Sequence, residues 1–171
     1  MPEELPENLA DHLASFIALR EANDRLRQRG IDLLWDSLHL LSSRYNQSVE
    51  ADPRAHRLQL ARQEWQFPVD QSTMVGERFG LRYNFKTLVF ELGWPRRPEH
   101  GHVPGSGLAR GRIGFSQNVM LEARPLAELI LRRVESTESL CWYFIDREGR
   151  RGAELSEAGL RPYLEQLFDP S

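Results

Sequence analysis

The spacing of apolar residues changes near residue 53, and that change restricts the fold more than any other feature of the sequence. In the first fifty residues, apolar side chains recur at steps of three and four, the period of an amphipathic helix. After about residue 53 they recur mostly at every second position, the period of a β-strand. The helical stripe consists of Leu9, Leu13, Phe16, Ile17, Leu34, Leu38, Leu41, Tyr45 and Val49.

The helical segment has a polar middle, "REANDRLRQRG", in which Leu26 is the one large apolar residue. Gly30 ends this stretch, and Asp32 is a residue type that caps a new helix. We therefore predict two helices, over about 6–28 and 31–50, or one long helix weakened at Gly30. The segment closes at "EADPR", because Pro53 disfavours helical geometry in the residue before it.

The alternating segments follow one another without helices between them. Around "FGLRYNF", Phe79, Leu81, Tyr83 and Phe85 share one face, and Arg78, Arg82, Asn84 and Lys86 lie on the other. The apolar parity changes before Leu88, which indicates a turn or a β-bulge. "GLARGRIGFSQ" and "LCWYFID" are extended in character, and the second leads into a hairpin. "PLAELILRRVE" fits either a strand or a helical turn.

The chain ends on a third helical pattern. Ser156 followed by the acidic Glu157 indicates a helix start, and Pro162 predicts a kinked or two-part helix. Its apolar face consists of Leu160, Tyr163, Leu164, Leu167 and Phe168.

This order of elements predicts a single α+β domain over 1–171. It comprises a helical N-terminal segment, 1–52, a sheet over 53–155 and a C-terminal helix, 156–171. Five or six strands in succession with short connections predict a mainly antiparallel sheet, with helices packed on one face.

Composition sets the cellular context that we expect. Cys141 is the single cysteine, so no internal disulfide can form. The acidic N-terminus lacks the pattern of a secretory signal, and the longest apolar run, 140–145, is far shorter than the ~20 residues that span a bilayer. We expect a cytoplasmic protein that does not contact a membrane and carries no cofactor.

Charge is unevenly distributed. Residues 1–53 carry a net charge of −5, residues 54–151 carry +5, and residues 152–171 carry −3. Lys86 is the one lysine, so the basic middle is almost entirely arginine. Two explanations are open. The acidic helices and the basic sheet have complementary charges within the chain, or the basic segment forms a surface for an anionic partner.

The stretch "WPRRPEHGHVPGSGLARGR", residues 94–112, is the strongest candidate for a site. It matches neither the phosphate-binding loop with its lysine nor the dinucleotide-binding glycine pattern. A backbone nest with four arginines can nevertheless hold a carboxylate or phosphate group. The predicted ligand-binding residues are Arg96, Arg97, His100, His102, Arg110 and Arg112.

The same stretch also suggests a metal site. His-x-His in an extended segment places two imidazoles on one side, and Glu99 adjoins His100 and His102. A metal-dependent enzyme is therefore one alternative. Catalytic residues remain unassigned, because Ser106 lacks a nucleophile elbow and Cys141 has the setting of an inert thiol.

A second alternative is an RNA or single-stranded DNA binder. Phe79, Tyr83, Phe85 and Trp94 beside arginine-bearing positions would then form a stacking surface. The sequence pI of about 6.0 argues against it, and the aromatics are more simply the inner face of the sheet.

Our leading interpretation is a non-enzymatic binding module that forms a homodimer. We expect it to bind a partner protein or a small anion through the sheet and the 94–112 loop. The apolar stripe Leu34, Leu38, Leu41 and Tyr45 is longer than a small sheet requires, so we expect the N-terminal helices to contribute to the dimer.

Overall fold

A computed structural model describes residues 7–69, 72–96, 103, 107–116, 124–134, 137 and 139–170. Two helices flank a run of strands, which confirms the α+β class. The elements are α1 (Glu7–Ser48), β1 (Leu58–Val69), β2 (Ser72–Tyr83), β3 (Lys86–Trp94), β4 (Ala109–Ser116), β5 (Arg124–Arg133), β6 (Leu140–Ile145), β7 (Arg151–Glu154) and α2 (Glu157–Phe168).

The strands form one antiparallel sheet in the order β1-β2-β3-β4-β5-β6-β7, so each strand pairs with its neighbours in sequence. The described sheet has seven strands rather than the five or six predicted. The ambiguous "PLAELILRRVE" segment is strand β5. The parity change after Tyr83 is a tight turn in which Asn84 has a φ of 54°, a left-handed conformation that asparagine tolerates.

The N-terminal segment is one continuous helix, not two. Gly30 does not break α1, because its missing side chain lets the helix backbone lie against the sheet. A Cβ atom at Gly30 would clash with Cδ2 of Leu131. At the same point Trp142 Nε1 donates a 2.9 Å hydrogen bond to the Gly30 carbonyl oxygen. The cost of glycine inside a helix is therefore offset by close helix–sheet packing.

Both helices cover the same face of the sheet, as predicted. The core between them holds Ile31, Leu34 and Leu38 of α1 and Leu160 and Leu167 of α2. Sheet residues that meet them are Phe79, Leu81, Leu88, Phe90, Leu92, Ile113, Leu129, Leu131 and Trp142. We call the opposite face of the sheet the far face. It carries the alternate positions of the same strands, because successive side chains in a strand point to opposite sides.

The apolar stripe expected to support a dimer is used inside the chain. Leu34 and Leu38 are buried, and Leu41 and Tyr45 pack against the core at its margin. Tyr45 also stacks on Phe168 of α2 at 4.9 Å between ring centroids. This stripe is therefore occupied by the sheet and α2. The first part of α1 differs, since every described side chain from residue 8 to residue 21 is exposed.

Helix α2 begins as predicted, with the Ser156 side chain accepting a hydrogen bond from the Gly159 amide. Of the two forms predicted at Pro162, the two-part helix was wrong, because α2 is one helix with proline inside it. Lys86 fixes the other end, donating from Nζ to the carbonyl oxygens of Gln166 at 3.1 Å and Asp169 at 2.7 Å. A cation at a helix C-terminus is favourable because it meets unpaired carbonyl groups.

No helix in the part of the chain that the structure describes is both long and apolar enough to cross a membrane.

The close approach at Gly30 gives a test of the packing. We expect Gly30→Ala to lower the free energy of unfolding by about 1–2 kcal/mol, since overpacking costs about 1–3 kcal/mol and alanine returns up to about 1 kcal/mol of helix propensity. Combining it with Leu131→Val should cost less than the two single changes added together, because the shorter side chain makes room. Urea unfolding of all four proteins measures this coupling. Strictly additive losses would contradict the contact.

Candidate functional site

The structure describes three of the six predicted ligand-binding residues. Arg96 is exposed just after β3, and its carbonyl oxygen accepts a 2.8 Å hydrogen bond from Arg20 of α1. Arg110 and Arg112 lie in β4. Arg97, His100 and His102, together with Glu99 of the metal alternative, lie outside the described residues. The full cluster therefore stays a prediction.

Arg110 and Arg112 both point to the far face, as their spacing of two predicts. Arg110 Nη2 lies 4.0 Å from Glu128 Oε1, a long contact at a half-exposed position. Arg112 Nε donates to Glu91 Oε2 at 2.6 Å. Strand register makes Glu91 the direct cross-strand neighbour of Arg112.

Glu91 lies at the centre of the far face and is only 1% exposed. On one side the register places Arg112, and on the other it places Arg78 of β2. Arg78 Nε lies 3.9 Å from Glu91 Oε1, so the charges attract each other without a hydrogen bond between these atoms. The three side chains form a row across β2, β3 and β4. We call this row the far-face charge row.

Trp65 of β1 extends the far-face charge row by one residue. The Arg78 guanidinium lies 4.6 Å from the centre of the Trp65 ring, in cation–π geometry. Trp65 Nε1 and Glu91 Oε1 are buried without a hydrogen-bond partner among the described residues. Each such atom costs about 1–3 kcal/mol of stability. Arg78 is thus held in place between an aromatic ring and a buried carboxylate.

A cavity of about 260 Å³ lies beside Arg78 on the far face, over β1 to β4. Ala61, Gly80 and Val89 stand directly opposite one another in the strand register, and all three line the cavity. Because these residues are small, they leave room where longer side chains would fill the space. We call this space the far-face cavity.

Polar groups surround this floor. The far-face positions among the lining residues carry two guanidinium groups, two carboxamides and two hydroxyls, from Arg78, Arg82, Gln59, Gln63, Thr87 and Ser116. No described lining residue is acidic. Arg82 is exposed, and its Nε donates to the Asn84 carbonyl oxygen at 3.0 Å. Guanidinium, amide and hydroxyl donors together suit an oxyanion.

Sequence reasoning did not select these residues. It did place Arg78 and Arg82 on the face opposite Phe79 and Leu81, and that alternation is the signal that identifies them. It gave no indication that Glu91 would lie between two arginines, because this depends on the register of three strands.

Most of the predicted stacking aromatics lie on the helix side, opposite Arg78, Arg82, Arg110 and Arg112. The arginine beside them there is Arg62, whose guanidinium lies 5.3 Å from the centre of the Phe79 ring. Phe79 is fully buried in the helix-side core, and Tyr83 and Trp94 pack at its margin. This confirms the inner-face interpretation for these three. Phe85 differs, because it lies in the β2–β3 turn and is 78% exposed. The far-face aromatics beside an arginine are instead Trp65, next to Arg78, and Tyr143, next to Arg151.

Within the described residues, no group of three His, Cys, Asp or Glu side chains is arranged to hold a metal ion.

Cys141 is half-buried in β6, and its Sγ atom lies 3.3 Å from the carbonyl oxygen of Trp142. Burial, together with the hydrogen bond and negative charge of Glu154, raises the pKa of the Cys141 thiol to about 11. The thiol is therefore protonated at neutral pH, which agrees with the prediction of an inert cysteine.

We expect Cys141 in the folded protein to react slowly with iodoacetamide at pH 8. The rate should keep rising with pH to about 11, the pKa that burial and Glu154 impose, rather than level off near the ordinary value of 9.0. Alkylation followed by mass spectrometry measures the profile, and the urea-unfolded chain is the control. A folded-state plateau at or below pH 9 would contradict the protonated setting.

A scan against protein-family models, a search of curated proteins and a search of solved structures each found no match to this chain.

Proposed function

We propose that this protein is a binding module that takes a small molecule with a carboxylate or phosphate group in the far-face cavity. The observation that supports this is the cavity itself: a floor of three small residues surrounded by four neutral polar side chains and three arginines, Arg62, Arg78 and Arg82. A volume of about 260 Å³ fits a compact anion or a short organic acid, being slightly below the range of roughly 300–1,000 Å³ typical of drug-sized ligands.

Charge on the far face favours an anion. The described far-face positions of β2 to β4 carry Arg78, Arg82, Arg110 and Arg112 against one acid, Glu91. A concave surface lined by one sign of charge concentrates its field and attracts the opposite charge. Glu91 reduces this field only in part, and it holds Arg78 and Arg112 in fixed positions.

Binding explains the lining residues better than catalysis does. Arginine, glutamine, serine and threonine donate hydrogen bonds, but a proton-transfer step at neutral pH usually needs histidine, a carboxylate or an activated cysteine. None of these types occurs among the described lining residues. The metal-dependent enzyme remains the alternative, since Glu99, His100 and His102 lie outside the described residues. Metal analysis of the purified protein tests it, and stoichiometric zinc, iron or manganese would favour it.

The expected partner protein, the homodimer and the cytoplasmic location remain proposals.

Thermal unfolding tests the anion site. We expect phosphate or a dicarboxylate such as malate to raise the melting temperature at constant ionic strength, because a ligand at ten times its Kd adds about 1.4 kcal/mol to the folded state by mass action. Arg82→Gln should remove most of this shift, since it deletes the exposed guanidinium of the cavity. Arg161→Gln, at an exposed position on α2, is the matched control and should keep the shift.

A second variant tests whether the open cavity is needed for anion binding in addition to the arginines. Ala61→Leu keeps every arginine but fills the cavity floor, so we expect it to remove the shift as well. Equal stabilisation of the unmodified protein, Arg82→Gln and Ala61→Leu by the same anion would contradict the proposed site. A shift that follows ionic strength rather than anion identity would also contradict it.

A further inference from the structure

The far-face cavity runs across the strands of the sheet. Its floor residues Ala61, Gly80 and Val89 occupy one row of the register on β1, β2 and β3, so the floor extends about 10 Å at roughly 4.8 Å per strand. The next far-face residues lie two positions away along each strand, and they form a wall on either side of the floor. One wall consists of Gln59, Arg82, Thr87 and Ser116, and the other of Gln63 and Arg78.

Positive charge in the cavity is concentrated on the middle strand, β2. Arg78 and Arg82 lie two residues on either side of Gly80, so they belong to opposite walls. Gly80 has no side chain over the floor between them. Arg62 also lines the cavity, but its guanidinium group lies on the helix side, over the Phe79 ring. An anionic group above Gly80 would therefore have a far-face arginine on each side.

Carboxamide groups take the corresponding positions on β1. Gln59 and Gln63 lie two residues on either side of Ala61, and all three residues are exposed. Since β1 is the edge strand of the sheet, the cavity is open at this end, whereas Val89 at the other end is buried. A ligand that enters from the edge therefore passes between two carboxamides before its anionic group reaches the arginines.

These carboxamides indicate what the rest of the ligand carries. An amide side chain has two donors and an acceptor oxygen, whereas an oxyanion has acceptors only. An anion alone would leave the acceptor oxygens unmatched, but a hydroxyl group both donates and accepts, so it pairs with either atom of the amide. Gln59 and Gln63 therefore favour hydroxyl groups next to the anionic group.

We propose that the far-face cavity binds the phosphate monoester of a short polyol. The phosphate group lies over Gly80 between Arg78 and Arg82, and the hydroxyl groups lie between Gln59 and Gln63. This inference rests on the proposed anion site and names the class of its ligand. A phosphate monoester carries about −1.5 to −2 charge at pH 7 and three free oxygens, so it meets guanidinium groups on both walls at once.

The lining also argues against larger anions. A cavity of about 260 Å³ has room for a phosphate group and a few carbon atoms. No described lining residue is aromatic, so a nucleobase would have no ring to stack on. The apolar side chains of the floor are those of Ala61 and Val89, which is too little apolar surface to hold an acyl chain.

Two ligands with the same carbon chain test the hydroxyl contacts. Glycerol phosphate and propyl phosphate carry the same phosphate group, and only the first has hydroxyl groups. We expect the protein to bind glycerol phosphate about tenfold more tightly, since each of two net hydrogen bonds contributes roughly threefold. Isothermal titration calorimetry at neutral pH and constant ionic strength gives both dissociation constants.

Variants on β1 test which residues cause this preference. Gln59→Leu and Gln63→Leu should each reduce it about threefold and leave the affinity for propyl phosphate unchanged. Arg82→Gln should weaken both ligands equally, because both carry the phosphate group. Gln66→Leu is the matched control, the same change at an exposed helix-side position of the same strand, and it should change neither affinity. Circular dichroism checks that all four variants stay folded.

Failure of this inference is distinguishable from failure of the anion site. Equal affinity for the two ligands, or a preference that survives both glutamine changes, would overturn the polyol and leave the anion site in place. Tighter binding of glycerate than of glycerol phosphate would overturn the phosphate, since a carboxylate carries a single charge. Binding of neither phosphate ligand would overturn the anion site and the polyol together.

Discussion

The crossing of α1 over the sheet at Gly30 is the contact on which the rest of this structure depends. The helix lies close enough for Trp142 Nε1 to donate to the Gly30 carbonyl oxygen, and Leu131 fills the space that a side chain would need. Once α1 is fixed there, its apolar positions meet one face of the sheet only. The opposite face is not covered by helices, and it carries the arginines, the buried Glu91 and the cavity.

The far face is built with features that do not maximise stability. A carboxylate that is 1% exposed between two arginines costs desolvation energy that its ion pairs offset only in part. The buried Glu91 Oε1 and Trp65 Nε1 atoms without described partners add to that cost. A small-residue floor also gives up packing that larger side chains would supply. These costs are understandable if the far face binds a ligand, since Glu91 and Trp65 keep Arg78 in one orientation.

Much of the fold could be predicted from periodicity, and the site much less. Alternation in "FGLRYNF" identified β2 and the sides of Phe79 and Arg78, because strand geometry is local. For α1 the sequence left two helices or one long helix open, and the long helix is observed. Periodicity could not decide between them, since the propensity cost of glycine is local whereas its gain, contact with Leu131, is tertiary. Pro162 led to the prediction of a two-part α2 for the same reason, because the cost of proline in a helix is also local. The site depends on which residues of β2, β3 and β4 stand side by side, and only strand register decides that Glu91 lies between Arg78 and Arg112.

Helices cover one face of the sheet, and we propose that ligand binds on the other. The four tryptophans of the chain divide between these two faces. Trp35, Trp94 and Trp142 lie on the helix side, and Trp65 lies beside Arg78 on the far face. An NMR titration with phosphate or malate, with indole N–H signals assigned by single Trp→Phe variants, reports on both faces at once. We expect the Trp65 indole N–H signal to shift and saturate as anion is added, while the chemical shifts of the other three tryptophans stay unchanged. A shift confined to Trp35 or Trp142, or no saturable shift at Trp65, would contradict it.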